Sequence, residues 1–323
     1  MIRRRHLPAL LAAPFLARGA LAQPAGFPQR PPRIIVPFTP GGSLDVAARM
    51  LAEESGRRWP FGAVVENRPG AAGNIGAELA ARSAPDGHTM VVVSNNMITM
   101  NPHVGPMPID PLTALAPVSM LAQSPFILVG ATNVPAQDLP GLLAMARAQP
   151  GMLTYASIGN GTPHHVSMAM LCGMAGIAMT HVPYRGTPEG LSDVGGGRVT
   201  CMASPFGPAL PLIQAGMVRP LAAMGATRLP WMPELPTVAE SGLADFDAGS
   251  WLALAVPRGT PAATVGFLAE FCGSVMNDPK LRPAQDRVAL VPDTMGPEET
   301  GALWRREHDA WGKVIRDARI TAG

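Results

Sequence analysis

The chain has 323 residues, of which 47% are hydrophobic, with 25 lysines and arginines against 23 aspartates and glutamates. This balance lacks the basic excess of nucleic-acid-binding proteins, and three cysteines are too few for a disulfide framework. About 300 residues exceed a typical single core, so two domains are predicted.

Residues 1–22 have the layout of a secretory signal peptide. A basic start, MIRRRH, precedes the apolar stretch LPALLAAPFLA and a small-x-small cleavage site at 20–22. The apolar stretch is about 11 residues long, whereas a membrane-spanning helix needs about 20. Arg4 and Arg5 leave the twin-arginine route open beside the general secretory route. Four arginines and no acids lie in this segment, so the mature chain has 21 basic against 23 acidic residues and a formal charge of −2.

Strand and helix patterns alternate in the first part of the mature chain. Apolar runs predict strands at 33–38, 62–66 and 88–94, and the last of these is continuous, as in parallel strands covered on both faces. Helical spacing predicts helices at 43–57 and 74–83. This alternation predicts an α/β protein with a mostly parallel sheet.

The alternation continues to the end of the chain. Strands are predicted at 116–121, 126–131, 153–157, 179–182, 199–203, 221–225 and 250–256. Helices are predicted at 138–149, 163–174, 187–195, 261–277 and from 297 onward. These units predict two α/β lobes, with 27–122 and 251–323 forming lobe 1 and 123–250 forming lobe 2.

The three cysteines, Cys172, Cys201 and Cys272, lack CxxC spacing. One long-range disulfide and three buried thiols both remain open, with buried thiols favoured.

Four strand-to-helix junctions share small or flexible residues, a hydroxyl or amide, and then a helix start. They are TPGGS at 39–43, GAAGN at 70–74, SIGNGT at 157–162 and YRGT at 184–187. A helix N-terminus has unpaired N–H groups and a partial positive charge, and glycine allows close backbone approach. Ordinary capping explains any one junction, but four junctions at the ligand-binding ends of the strands favour a carboxylate cradle.

The candidate ligand-binding residues come from these turns and from the ends of neighbouring strands. They are Thr39, Pro40, Gly41, Gly42, Ser43, Leu44, Asp45, Ala72, Asn74, Ser94, Asn95, Asn96, Ser157, Ile158, Gly159, Asn160, Gly161, Thr162, His165, Tyr184, Arg185, Gly186 and Ser204. Asp45 either complements the helix dipole or receives a ligand ammonium, amide or bridging water. His165 is either a ligand or cap residue, or a solvated or packed histidine.

The motifs of nucleotide-binding, metal-binding and hydrolytic sites, which would be alternatives to a carboxylate cradle, are incomplete in this chain. No lysine followed by serine or threonine closes a glycine loop, and GAAGNIG lacks the GxGxxG spacing. His164 and His165 are adjacent and point about 100° apart on a helix, which disfavours a shared metal. No metal or cofactor is therefore predicted. A hydrolase using Ser157 or Ser43 with His165 is disfavoured because GxSxG is incomplete and no acid partner is evident.

Several motifs together resemble the Bug/TctC family, the periplasmic solute-binding proteins of tripartite tricarboxylate transporters. They include VPFTPGGSLDVAARMLAE, VVENRPGAAGNIGAELAARSAPDGHTM, LTYASIGNGTPHH, HVPYRGTPEGLSDVGGGRV and SWLALAVPRGTP, in register from about residue 31. The resemblance implies a type II periplasmic binding protein fold whose two α/β lobes close on a small organic acid. It also implies that the turns at 39–45 and 157–162 grip the carboxylate, partly through water.

Three departures from the family pattern bear on the ligand. Leu44 replaces a usual threonine, 203–205 read Ala-Ser-Pro instead of Phe-Asp-Asn, and Leu252 replaces a usual tyrosine. These changes remove polar groups from the distal pocket. We therefore hypothesise a ligand with one carboxylate and an apolar or aromatic body, rather than citrate.

The resemblance implies a non-enzymatic, monomeric protein that acts in the periplasm. It would capture an organic acid with reversible, micromolar or tighter affinity and deliver it to membrane permease subunits. An alternative is a ligand-loaded sensory partner that docks on a receptor kinase. Neither hypothesis involves nucleic acid.

Overall fold

The computed structural model describes residues 27–317 and 320–321, so the predicted signal peptide lies outside the described residues. The strands are β1 (Arg33–Val36), β2 (Val64–Asn67), β3 (Thr89–Ser94), β4 (Leu115–Ser124), β5 (Phe126–Ala131), β6 (Thr154–Ser157), β7 (Thr180–Pro183), β8 (Cys201–Pro205), β9 (Val218–Ala223), β10 (Ser250–Pro257) and β11 (Val291–Pro292). The helices are α1 (Ser43–Arg58), α2 (Asn74–Ala81), α3 (Asn101–Val104), α4 (Pro111–Ala114), α5 (Leu139–Ala148), α6 (Pro163–Ala175), α7 (Thr187–Gly195), α8 (Phe206–Gln214), α9 (Ala262–Met276), α10 (Arg282–Arg287) and α11 (Pro297–Asp317). Short 3-10 turns at Ala71–Gly73 and Pro279–Leu281 and a π-helix at Asn96–Met100 join them.

The strands form two separate sheets, each flanked by helices. The first sheet has the order β11-β4-β10-β3-β1-β2, and the second has the order β7-β6-β8-β5-β9. This arrangement confirms the predicted two-lobed α/β fold. The prediction of a mostly parallel sheet is wrong, because antiparallel neighbours outnumber parallel ones by five pairs to four in the described chain. The strands that lead into and out of the second sheet, β4, β5 and β10, take part in all of the antiparallel pairs.

The sheets are joined by short connections. β4 ends at Ser124 and β5 begins at Phe126, so Pro125 alone separates a strand of one sheet from a strand of the other. The chain returns to the first sheet at Ser250, where β10 begins beside both β3 and β4. The two sheets are therefore held side by side by their own strands.

The C-terminal helix α11 packs against both halves. Trp304, near its start, is buried with residues of the first sheet such as Val91. Trp311 and Ile315, two turns later, are buried with Tyr155 and other residues of the second half. This helix thus contributes apolar side chains to two cores rather than one.

The three cysteines are free thiols in the structure. Cys201 and Cys272 are buried, and Cys172 is partly buried. Burial raises the pKa of the Cys172 thiol to about 11. The cysteines therefore act as small apolar residues here, and stability comes from packing instead of a disulfide.

Helix α8, which follows the second sheet's strand β8, is braced by a close backbone approach. A Cβ atom on Gly207 would lie 2.6 Å from the backbone oxygen of Val288, in the segment that leads to β11 of the first sheet. Backbone cannot rotate aside as a side-chain tip can. Only glycine therefore fits where α8 meets this segment.

We expect Gly207→Ala to lower the free energy of unfolding by about 1–3 kcal/mol, because the added methyl forces the two segments apart. Gly273→Ala in α9 is the matched control, since its Cβ would meet nothing within 4 Å. That change should stabilise the helix by about 0.5–1 kcal/mol. Urea unfolding measures both, and equal effects in the two variants would contradict the close approach.

Candidate functional site

A cavity of about 390 Å³ lies between the two sheets. It includes residues from the turn after β1, from the end of β3, and from the turns before α6 and α7. The predicted site residues in its lining are Thr39, Pro40, Gly41, Gly42, Ser43, Leu44, Asp45, Ser94, Asn96, Ile158, Arg185 and Gly186. We call this space the main cavity.

Helices α1, α6 and α7 begin at the main cavity without a side-chain cap. Helix α8 begins there too, but its first N–H, that of Phe206, donates to Pro125 O at 2.9 Å. The N-cap residues Gly42 of α1, Thr162 of α6 and Gly186 of α7 make no side-chain hydrogen bond to their helix. Asp110, by contrast, caps α4 by accepting from Leu112 N at 3.0 Å, although α2, α9 and α10 also lack a side-chain cap. First-turn residues of α1, α6 and α7 line the cavity. Their free N–H groups and helix dipoles give the cavity an affinity for anions.

Asp45 fixes the turn that starts α1. Its Oδ2 atom accepts hydrogen bonds from Gly41 N at 3.0 Å and Arg49 Nε at 2.8 Å, and its Oδ1 accepts from Asn67 Nδ2 at 3.0 Å. Burial favours the neutral acid, but the hydrogen bonds from Arg49, Gly41 and Asn67 outweigh it and lower the pKa of Asp45 below its usual value. The carboxylate is thus occupied within the protein, which favours a role in shaping the turn over direct contact with a ligand cation.

The remainder of the main cavity is largely apolar. Leu44 and Leu252 line it from the first half, and Phe126, Pro205 and Pro208 line it from the second. The sequence departures at 44 and 252 therefore lie on the cavity wall, and so does Pro205 of the departure at 203–205. Apolar walls exclude water and strengthen the polar contacts that a ligand makes at the helix starts.

Arg185 is a basic side chain at the main cavity. It is exposed, and among the described residues it forms no ion pair with an acidic side chain. Its backbone N–H donates to Glu189 Oε2 at 3.3 Å, which orients the turn before α7. The guanidinium is therefore available to an anion that enters the cavity.

A second chamber of about 470 Å³ adjoins the main cavity at Ile158, which lines both. The predicted residues Ala72, Asn74, Gly159, Asn160 and Thr162 line this chamber. The predicted cradle is thus divided, with the turn at 39–45 facing one space and most of the turn at 157–162 facing the other.

The remaining predicted residues line neither space. They are Asn95, Ser157, Gly161, His165, Tyr184 and Ser204. Asn95 supports the crossing to β10, since its Nδ2 donates to Gly249 O at 2.9 Å and its Oδ1 accepts from Ser250 Oγ at 2.9 Å. His165 Nδ1 accepts from Gly161 N at 3.2 Å and so supports the turn at 157–162 from behind.

The serine–histidine geometry differs from that of the hydrolase alternative. Ser157 Oγ lies 2.5 Å from Nε2 of His181, and His165 instead stacks on His181 with ring centroids 4.1 Å apart. Ser157 is fully buried. Within the described residues, no carboxylate hydrogen-bonds to His181. A buried serine without an oriented acid has neither substrate access nor the third member of a triad.

The candidate ligand-binding residues named from the sequence omit His164 and Thr187, which both line the main cavity. His164 is 4% exposed and its Nε2 lies 3.1 Å from Thr187 Oγ1. The pair of adjacent histidines was the available signal, but sequence alone did not indicate which ring faces the cavity.

Two negative observations apply to residues 27–317 and 320–321. No cluster of three or more His, Cys, Asp or Glu side chains there is placed to hold a metal ion. No helix in that part of the chain combines the length and apolar character needed to cross a bilayer.

Comparisons with known proteins identify the family and the fold. The family model described as "Tripartite tricarboxylate transporter family receptor" matches residues 47–320. A UPF0065 protein from the tcbD-tcbE intergenic region of Pseudomonas sp. (strain P51) is 32% identical over 99% of this chain and 96% of its own. The structure of R. palustris Rpa4515 with adipate has a TM-score of 0.84 and 30% identity, covering 91% of this chain and 99% of that one. MatC from Rhodopseudomonas palustris with bound malate has a TM-score of 0.81 and 27% identity, covering 90% of this chain and 100% of that one.

We expect Asp45→Asn to lower the free energy of unfolding at pH 7 by about 1–2 kcal/mol, since it removes charge-assisted hydrogen bonds that hold the turn. Because the pKa of Asp45 is lower in the folded chain, this stabilisation is present above about pH 4, the unfolded value. It is lost as the pH falls through the lower folded value.

Urea unfolding of both proteins from pH 7 down to pH 3 measures this difference. Asp309→Asn is the control, because the Asp309 side chain is 88% exposed. If the free energy of unfolding of Asp45→Asn stays equally far below that of the unmodified protein as the pH falls, the assigned role of the carboxylate is contradicted.

Proposed function

The chain belongs to the tripartite tricarboxylate transporter receptor (TctC) family, and from this premise we propose that its main cavity captures a small organic carboxylate. The bound acid is then delivered to the membrane permease subunits of a tripartite transporter. One observation carries the proposal: three helices without side-chain caps begin at a cavity that both sheets share. Such a cavity offers fixed donors to an anion and walls that can close around it.

The ligands named for two related structures support a small organic carboxylate as the ligand. Adipate and malate, in Rpa4515 and MatC, are both small carboxylates. In this chain the α1 start supplies the N–H groups of 43–45, since Asp45 already occupies that of Gly41. These groups are the proposed contact for the ligand carboxylate.

The apolar wall supports a narrower class of ligand. A citrate molecule would place polar groups against Leu44, Phe126 and Leu252, and would leave them without partners. Burying an unpaired polar group costs about 1–3 kcal/mol. The proposed ligand therefore has an apolar body, aliphatic or aromatic.

The cellular setting follows from the same premise. TctC proteins are periplasmic binding proteins, and the leader at 1–22 is the proposed export signal, read by the general secretory or the twin-arginine route. The protein is proposed to act as a monomer with no catalytic step. The proposed lobes are 27–122 with 251–323, and 123–250, supported to within a few residues by the end of β4, the start of β5 and the start of β10.

A panel of acids tests the proposed ligand class. We expect aliphatic or aromatic acids to raise the melting temperature in a concentration-dependent way, because binding to the native state alone stabilises it. Citrate should give little or no shift. Strong stabilisation by citrate with none by apolar acids would contradict the apolar-bodied ligand, and no response to any carboxylate would contradict the function itself.

Gly42→Val tests the α1 cradle. The backbone at Gly42 is extended, with φ −79°, and a Cβ would meet nothing within 4 Å, so the variant should fold normally. Its side chain would block approach to the free N–H groups. We expect about 10- to 100-fold weaker binding by calorimetry, equivalent to one or more charge-assisted hydrogen bonds.

Gly296→Val is the matched control, since Gly296 also precedes a helix, α11, and also has open space at its Cβ. It lies outside the main cavity and should bind as the unmodified protein does. Unchanged binding by a folded Gly42→Val protein would rule out the cradle.

A further inference from the structure

His164 and Thr187 join two helix starts at the main cavity. His164 is the second residue of α6, and Thr187 is the first residue of α7. His164 Nε2 lies 3.1 Å from Thr187 Oγ1, and both residues line the cavity. The imidazole is 96% buried, with its ring packed edge-on against Phe126 at 5.1 Å between centroids.

The direction of this hydrogen bond follows from the other ring nitrogen. His164 Nδ1 is buried and has no hydrogen-bond partner among the described residues. Burial lowers the pKa of His164 to about 3, so the ring is neutral near pH 7 and carries one proton. A proton on Nδ1 would be an unpaired buried donor beside the positive end of α6, which is costly. The proton therefore lies on Nε2, which donates to Thr187 Oγ1.

The hydroxyl proton of Thr187 is then left for another acceptor. Thr187 Oγ1 accepts from the imidazole, and no other hydrogen bond to this oxygen is present among the described residues. A threonine hydroxyl can donate one hydrogen bond while it accepts others. Since Thr187 lines the main cavity, its proton is available there as a fixed donor.

We propose that His164 positions the Thr187 hydroxyl to donate to a second acceptor group on the bound acid, preferably a second carboxylate. This proposal rests on the proposed function, and it changes the hypothesis of a single carboxylate. The ligand would have an acidic group at each end and an apolar middle.

The surroundings of Thr187 fit a second anionic group. The α7 start has no side-chain cap, and the exposed guanidinium of Arg185 lies at the same turn. Thr187 belongs to the half of the protein that holds the second sheet, whereas the α1 cradle belongs to the first-sheet half. Leu44, Phe126 and Leu252 in the shared lining suit methylene groups between the two ends.

Calorimetry with matched acid pairs tests the proposal. Each pair has the same carbon skeleton with one or two carboxylates: butanoate and succinate, hexanoate and adipate, octanoate and suberate, and 4-methylbenzoate and terephthalate. We expect the diacid of at least one pair to bind more tightly than its monoacid. In Thr187→Val, which keeps the shape and removes the hydroxyl, the diacid-to-monoacid affinity ratio should fall about tenfold.

Two rescue variants separate positioning from packing. Thr187→Ser keeps the hydroxyl, so its diacid-to-monoacid affinity ratio should stay close to that of the unmodified protein. His164→Phe removes the donor but keeps the ring and should lower the ratio, whereas His164→Gln offers an amide donor and should restore much of it. A general loss of structure would lower the melting temperature and both affinities together, and would not give this pattern.

The tautomer can be observed directly by ¹⁵N-resolved NMR of the histidine rings. We expect a neutral His164 with its proton on Nε2 throughout pH 5 to 8. A proton on Nδ1 would overturn the proposal. Provided that acids bind, two further results would overturn it. One is that every monoacid binds as tightly as its diacid, and the other is that Thr187→Val has the same diacid-to-monoacid affinity ratio as the unmodified protein. If no acid in the series binds, the proposed function itself fails.

Discussion

Unpaired N–H groups at helix starts determine the character of the main cavity. Helices α1, α6 and α7 each follow a strand, and their parallel strands deliver the first turns to the same region between the sheets. A buried helix start must find an acceptor in a side chain, water or a ligand. Aspartate side chains accept hydrogen bonds from the first-turn N–H groups of α4 and α5. At the cavity, the N-cap residues Gly42, Thr162 and Gly186 supply no such side-chain acceptor. The donors that remain are the chemical basis of anion capture.

The connections between the sheets restrict how the walls of the cavity can move. Pro125 alone separates β4 from β5, and Asn95 hydrogen-bonds both Gly249 and Ser250 where the chain returns. Helix α11 adds a third link, because it packs against both cores. Trp251 of β10 donates to Glu307 of this helix at 2.7 Å. Any closure around a ligand must therefore bend at these links while the sheets themselves stay rigid.

The sequence predicts the elements whose patterns are local. The helix predicted at 163–174 is observed at Pro163–Ala175, and the strand predicted at 126–131 is observed without change. Helix α8 was not predicted because Pro208 and Pro211 lie inside it and suggest a loop. The segment from Asn96 to Ala114 contains three short helical pieces, one π-helix and two α-helices, and none is long enough to show a period.

The site was predictable in part. The glycine turn at 39–45 lines the main cavity, because a strand-to-helix junction fixes its position locally. The roles of His164 and His165 were not predictable from the sequence, since two adjacent residues on one helix differ only in what the rest of the fold packs against them. Likewise, the pairing of Asp45 with Arg49 is local, four residues apart on α1, but nothing local shows that Asn67, 22 residues further along the chain, also binds this carboxylate.

A crystal structure grown with the acid that binds most tightly would test the central claim most directly. The account predicts a carboxylate within hydrogen-bonding distance of the N–H groups of Ser43 and Leu44, directly or through one water, with the apolar body against Leu44, Phe126 and Leu252. An acid bound in the main cavity with its carboxylate turned away from all three helix starts, or an acid bound only outside this cavity, would contradict it.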